Sequence, residues 1–240
     1  MEKNSKLKYR RVLLKISGEA IGGEKSVFNL ETVERIAEEI GQLQRMGAQI
    51  GLVIGGGNII RGEKFAELGL NRNQSDYMGM LATVINGMLF ENILIKKGVH
   101  SVLQSAIHVE NITERVALKK TASHLDEKTV VIFTGGTGNP FFTTDSAAAL
   151  RACEIGAEVL LKATKVDGVY DKDPVVYPDA RFYPLISYDD VLKNKLKVMD
   201  MTAVSICRDN RIPIIIFNLT KYGNIKKIVT GNLTGTLIKE

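Results

Sequence analysis

Two hydrophobic rhythms alternate along this chain. Short runs rich in aliphatic and β-branched residues, at Val12–Ile16, Gln49–Ile54, Ser101–Gln104, Thr129–Phe133, Glu158–Leu161 and Pro213–Phe217, read as strands. Between them apolar residues recur at three- and four-residue spacing. Leu30, Val33, Ile36, Ala37, Ile40 and Leu43 outline one helix, which Asn29 can cap and which Arg45 and Gly47 can close. Another begins at Thr144 and runs through Asp145 and a string of alanines to Gly156. Strands alternating with helices predict an α/β fold with a mainly parallel sheet and helices on both faces. No linker, repeat or low-complexity segment interrupts residues 1–240, so a single domain is expected.

One segment breaks the amphipathic pattern. From about Asp76 to Lys97 a helix is apolar on nearly every side, with Met78, Met80, Leu81, Val84, Ile85, Met88, Leu89, Ile93 and Leu94 on no single stripe. Such a helix is buried all round, either inside its own fold or partly against a second subunit. Gly79 and Gly87 would let a second backbone approach. Thr83, Asn86, Gly87, Glu91 and Asn92 make the stretch too polar for a membrane span. With a charged amino terminus and no apolar signal core, a soluble cytoplasmic protein is expected.

The formal charge of +5 changes this picture little. Basic residues are scattered apart from Lys6, Lys8, Arg10 and Arg11, and Lys193, Lys195 and Lys197. Tyr9 is the one aromatic within them and no nucleic-acid motif appears, which favours a solvated face over a nucleic-acid surface. Cys153 and Cys207 lie far apart in apolar helical patterns and read as small buried hydrophobes. His100, His108 and His124 lack metal-ligand spacing.

Chemistry concentrates in three glycine-bearing segments, each following an expected strand: Lys15-Ile16-Ser17-Gly18, Gly55-Gly56-Gly57-Asn58 with Arg61 close behind, and Gly135 through Asp145. In an open parallel sheet these loops converge on the carboxyl edge, where glycine lets backbone N–H groups approach an anion. The common phosphate-loop, dinucleotide and protein-kinase fingerprints are absent. Phosphoryl transfer needs none of them, only in-line positioning and cations aimed at the moving charge. Lys15 and Lys162, at strand ends, are the candidates. The segment Lys162 to Pro174 carries two turn dipeptides, Asp167-Gly168 and Asp173-Pro174. It also offers a tyrosine able to cover a base and an aspartate able to accept from ribose hydroxyls.

Taken together, LLKISGEA, VIGGGNIIRG, MGMLATVINGM, TGGTGNPFFTTDSAA, LLKATKVDGVYDKDP, LKVMD and the closing GTLI resemble the amino acid kinase superfamily, and within it the bacterial-type uridylate kinases. The resemblance covers essentially the whole chain. It implies a three-layer α/β sandwich and transfer of the ATP γ-phosphoryl group to UMP, within pyrimidine nucleotide synthesis. It further implies Mg2+ carried by ATP rather than by protein ligands, inhibition by UTP, and a homohexamer built as a trimer of dimers. Carried over residue by residue, it places Lys15, Ile16, Ser17, Gly18, Gly57, Arg61, Thr164, Tyr170 and Asp173 on ATP. Gly56, Asp76, Thr137, Gly138, Asn139, Pro140, Phe141, Phe142, Thr143 and Thr144 fall on UMP, and Lys15, Asp145 and Lys162 form the catalytic set. It divides the domain into an acceptor part, roughly 1–155, and an ATP part, roughly 156–240.

The chain departs from the enterobacterial pattern in a shorter Gly22–Val27 loop and in Glu91, Ile95 and Val102, which replace basic or histidine side chains. Those departures put GTP activation in question. Aspartate kinases carry regulatory domains after the kinase domain, for which this chain leaves no room. The TGNPFFTT run argues against a carboxylate acceptor. The intact set of Lys15, Arg61, Asp145 and Lys162 argues for turnover rather than for a silent DNA-binding regulator.

Overall fold

The computed structural model describes residues 6–23, 26–60, 69–196 and 198–240. Its strands are β1 (Arg11–Ile16), β2 (Gln49–Ile54), β3 (Ser101–Ser105), β4 (Glu114–Arg115), β5 (Val130–Thr134) and β6 (Val159–Thr164). They continue with β7 (Val169–Tyr170), β8 (Phe182–Tyr183), β9 (Leu185–Ser187), β10 (Ile214–Asn218) and β11 (Thr236–Lys239). The described helices are α1 (Gly18–Ile21), α2 (Leu30–Arg45), α3 (Arg72–Lys96), α4 (Leu118–Asp126), α5 (Thr144–Glu154), α6 (Tyr188–Lys193), α7 (Met201–Asp209) and α8 (Asn224–Val229).

A nine-stranded sheet runs in the order β4-β3-β5-β2-β1-β6-β10-β11-β9, parallel except where β10 meets β11. All six expected strands are central to it. The additions are mostly two or three residues long or lie at an edge. Side-chain alternation on β1 and β6 divides the core. Val12, Leu14, Ile16, Val159, Leu161 and Ala163 face one layer with α2, α3 and α8. Leu13 and Leu160 face the other, with α5 and α7. A residue between two members of the first set therefore points toward α5.

Local chemistry explains the helix ends. Asn29 accepts from the Thr32 N–H at 3.0 Å, and Gly47 follows α2 with a left-handed φ of 94°. Asn71 caps α3, accepting from the N–H groups of Asn73 and Gln74. Leu30, read from the sequence as part of the apolar face of α2, is exposed.

Among the described residues α3 is long and apolar enough to cross a membrane by length and composition, yet half of its most apolar window is buried inside the fold. Its polar residues are what the packing explains. Asn86 is fully buried and donates to the carbonyl of Gly55 at 2.6 Å. It also exchanges amide hydrogen bonds with Asn58, at 2.7 and 3.1 Å. Thr83 accepts from the Gly135 N–H at 2.8 Å. One helix face thus pins two of the glycine loops.

Gly87 corrects an expectation. It faces the sheet rather than another subunit: an added Cβ would lie 2.5 Å from Thr134 Cγ2 and 2.6 Å from Leu103 Cδ1. Thr134 cannot easily turn aside, because its hydroxyl donates to the Gln104 carbonyl at 3.0 Å. Overpacking of this kind costs about 1–3 kcal/mol, against about 1 kcal/mol gained in helix propensity. Gly87→Ala should therefore lower the urea midpoint of unfolding with little change in slope. A midpoint at or above that of the parent would mean that α3 has room against the sheet.

Candidate active site

Strand register builds the centre of the site. In the parallel pairing of β1 with β6, Lys15 stands directly beside Lys162. Both side chains lie on the α5 side of the sheet and both are largely buried, at 7% and 13% side-chain exposure. Asp145, in the first turn of α5, reaches both. Its Oδ2 accepts from Lys162 Nζ at 2.6 Å, and its Oδ1 meets Lys15 Nζ at 2.7 Å as a charge contact off the hydrogen-bond axis. The close fit depends on small residues behind it, since Ala148, Ala149 and Ala152 form the buried face of α5.

The electrostatics follow from burial and charge together. Burial pushes the Asp145 carboxyl up, but the ammoniums of Lys15 and Lys162 overcome that and hold it below the ordinary carboxylate value. Burial depresses Lys162, Asp145 opposes this, Lys15 reinforces it, and the net position is below the ordinary lysine value. Two buried ammoniums on neighbouring strands repel, and the carboxylate they share offsets that repulsion.

Two cavities flank this centre. The larger, about 610 Å³, is walled in part by Lys162, Thr164, Tyr170, Asp173, Lys195 and Val198. Tyr170 is set by Phe182, their rings 5.3 Å apart and tilted at 59°. Thr164 is engaged within its own turn, donating to the Val166 carbonyl at 2.8 Å, and Asp173 accepts from the Val175 N–H at 2.9 Å. The smaller cavity, about 270 Å³, is walled in part by Gly56, Gly57, Asp76, Thr137, Phe142 and Thr144.

Between them the glycine loops touch. A Cβ on Gly18 would meet the backbone of Gly57 at 2.5 Å, and one on Gly56 would meet the Gly79 carbonyl at 2.7 Å. Ser17 caps α1, and Ile16 is fully buried, so Ile16 can offer a ligand only its backbone. The run Thr137, Gly138, Asn139, Pro140, Phe141 forms an outer lip, with Phe141 exposed and held at a left-handed φ of 73°. Asp76 holds that lip: its Oδ2 accepts from the Phe141 N–H at 2.8 Å, and both its oxygens accept from Arg72 Nε at 3.0 Å. Thr143 caps α5. Arg61 lies outside the described residues.

The structure thus gathers Lys15, Asp145 and Lys162 into one cluster, with Thr164, Tyr170 and Asp173 in the wall of the larger cavity and Gly56, Asp76, Thr137 and Phe142 in that of the smaller, whereas Gly57, expected on ATP, lines the smaller one. Sequence reasoning missed Thr83 and Asn86, which appeared only as polar interruptions, and Asp200, which fastens α7 to α5. Lys195, expected on a solvated face, is exposed and also lines the larger cavity. The signal for Thr83 and Asn86 was available: two polar residues three apart on an otherwise apolar helix share one face.

Comparison with known proteins gives the family. Residues 10–218 match the model of the amino acid kinase family. The fold is similar to that of a UMP kinase from Bacillus anthracis, with a TM-score of 0.93 and 36% identity over 96% of each chain. It is similar also to a UMP kinase from Ureaplasma parvum, with a TM-score of 0.91 and 35% identity over 98% of this chain and 100% of that one. A uridylate kinase from Archaeoglobus fulgidus aligns with a TM-score of 0.73 and 29% identity, over 95% and 99% of the two chains. A buried carboxylate shared by two lysines at the sheet edge, the expected six-strand core and a match over most of the chain lead to one conclusion: this protein belongs to the amino acid kinase family.

Proposed function

We propose that the chain is a UMP kinase, transferring the γ-phosphoryl group of ATP to the phosphate of UMP to give ADP and UDP. The observation that carries the reading is the Lys15–Asp145–Lys162 cluster standing between two cavities of unequal size. We assign the larger cavity, from residues 156–240, to ATP, with Tyr170 against the base and Asp173 near the ribose. We assign the smaller, from residues 1–155, to UMP, with Asp76 holding the lip that closes over it.

A phosphate oxygen of UMP is already an anionic nucleophile, so no general base is required. Lys15 and Lys162 meet the charge that spreads over the moving group, and Asp145 holds both without taking a proton. Among the described residues no group of three His, Cys, Asp or Glu is placed to hold a metal. On this reading Mg2+ would arrive on the ATP phosphates and offset part of their charge. We also place the enzyme in the cytoplasm, within pyrimidine nucleotide synthesis, with UTP competing for the UMP cavity.

The assembly reading rests on α3. Met78, Leu81, Ile85, Met88 and Ile95 are exposed at spacings of three, four, three and seven, a stripe on the side away from the sheet. Such a stripe suits packing against a second copy of the same helix, as in a symmetric dimer. Three such dimers would make the hexamer. Leu89, counted from the sequence with this apolar set, instead packs partly buried against the core.

Three outcomes test these assignments. A coupled assay of ADP release should give rapid turnover with UMP, and at least tenfold less with CMP, dCMP or aspartate at equal concentration. Turnover with aspartate alone would overturn the acceptor. Asp145→Asn should lower kcat roughly a hundredfold or more and destabilise the protein by about 3–5 kcal/mol, because two buried ammoniums lose their partner. The Asp145 carboxyl is held below its ordinary value, so its contribution is complete above about pH 4 and is lost as pH falls through the lowered value. The gap in Tm between parent and variant should therefore narrow as pH falls below about 4. A gap that does not narrow would mean that the charge of Asp145 is not what holds the two lysines. Leu81→Glu and Ile85→Glu should each split the assembly seen by light scattering without unfolding it, and an unchanged particle mass in both would remove α3 from the interface.

A further inference from the structure

Three consecutive residues, Val198, Met199 and Asp200, stand where the larger cavity, the lysine pair and the start of α5 meet. Each is fixed by a different neighbour. Val198 lines the larger cavity, and its carbonyl accepts from Lys162 Nζ. Met199 is buried in the core with Ala203 and Cys207 of α7. Asp200 caps α7, its Oδ1 accepting from the Ala203 N–H at 2.8 Å.

Capping needs one acceptor, yet the carboxylate takes two further donors from a distant part of the chain. Ser146 Oγ donates to Oδ1 at 3.0 Å, and Thr143 Oγ1 donates to Oδ2. Both donors lie beside Asp145. Thr143 also lines the smaller cavity, and its Oγ1 accepts from the Asp145 N–H at 3.0 Å. Because that oxygen already receives N–H groups from the first turn of α5, its own proton needs an outside acceptor, and Asp200 is that acceptor. Lys162 has three N–H donors, of which Asp145 and Val198 occupy two. Moving the Val198 carbonyl would therefore re-aim the donor left for a transferring phosphoryl group.

We infer that Asp200 is a positioning residue that makes the two cavities cooperate, by holding Val198–Asp200 and Thr143–Ser146 as one piece around Lys162. This rests on the assignment of the larger cavity to ATP and the smaller to UMP. Occupancy of the larger cavity presses on Val198, and the carboxylate of Asp200 carries that constraint to Thr143, in the wall of the smaller cavity. A purely structural cap would hold α7 in place without linking the affinities of two ligands.

Calorimetric titration of UMP, alone and with a saturating non-hydrolysable ATP analogue and Mg2+, reads the link directly. In the parent protein the analogue should tighten UMP binding by roughly fivefold or more, a usual size for coupling between sites. Asp200→Asn keeps an oxygen for the cap but cannot serve all three donors. Asp200→Ser keeps the cap and is too short to reach Thr143. Both should bind each ligand alone within about threefold of the parent while the coupling falls below about twofold, and kcat should drop about tenfold or more. Ser146→Ala, which removes one of the two cross-links, should give an intermediate coupling even if both Asp200 variants fold poorly by circular dichroism. Full coupling in Ser146→Ala and in every folded Asp200 variant, or none in the parent, overturns the inference. A parent protein that neither binds UMP nor releases ADP in its presence overturns the kinase assignment itself, which is a different result.

Discussion

Two lysines placed side by side on adjacent parallel strands, on one face and away from water, would push a sheet apart unless something neutralised them. That constraint organises much of this molecule. Lys15 and Lys162 occupy register-matched positions on β1 and β6, and one carboxylate, Asp145, answers both. A carboxylate on so short a side chain must come close. The alanine face of α5 lets the helix settle against the sheet, and the Thr143 cap fixes its first turn. The result is a cationic centre carried on regular elements, so its geometry is set by strand register rather than by loop conformation. A site meant to stabilise charge that exists only in passing benefits most from such rigidity, because its groups need not reorganise when the charge appears.

The loops around that centre are held from behind by a second polar device. Helix α3 is mostly apolar, and its few buried polar residues each have a defined partner. Asn86 takes the loop after β2, and Thr83 takes the loop after β5. Burying an amide and a hydroxyl is unfavourable unless they are satisfied, and here the satisfying groups are backbone atoms of the glycine segments themselves. The glycines can then pack against one another at distances no Cβ would allow, as Gly18 does against Gly57.

The sheet was largely legible in the sequence because its central strands are long and strongly apolar, and helices α2 and α5 because their caps are explicit. Two-residue pairings such as β7 with β8 carry no periodicity and could not be read. The site was legible as a set of residue types at strand ends, but not as a geometry. Nothing in one dimension says that Lys15 and Lys162 share a register, or that Asp76 spends its oxygens on Arg72 and the Phe141 N–H. Gly87 shows the limit from the other side. A glycine in an apolar helix signals a close approach, but the sequence does not say to what, and the answer was β3 and β5. Asp200 was invisible for a related reason, since its cap is local and its cross-links to Thr143 and Ser146 are not.

The two sides of α3 give the helix a double duty that its composition alone hides. Its inner face fixes both glycine loops through Thr83 and Asn86, while its first turns carry Asp76 to the lip of the smaller cavity. Its outer face leaves Met78, Leu81, Ile85 and Met88 exposed. A helix free to bend could separate these tasks, but α3 runs unbroken for 25 residues and is clamped to the sheet at Gly87, where the packing distance leaves no slack. A displacement imposed on the outer stripe therefore has to move the inner face as well. The glycine loops, bonded to that face through backbone atoms, would move with it, and so would the wall of the smaller cavity that they form.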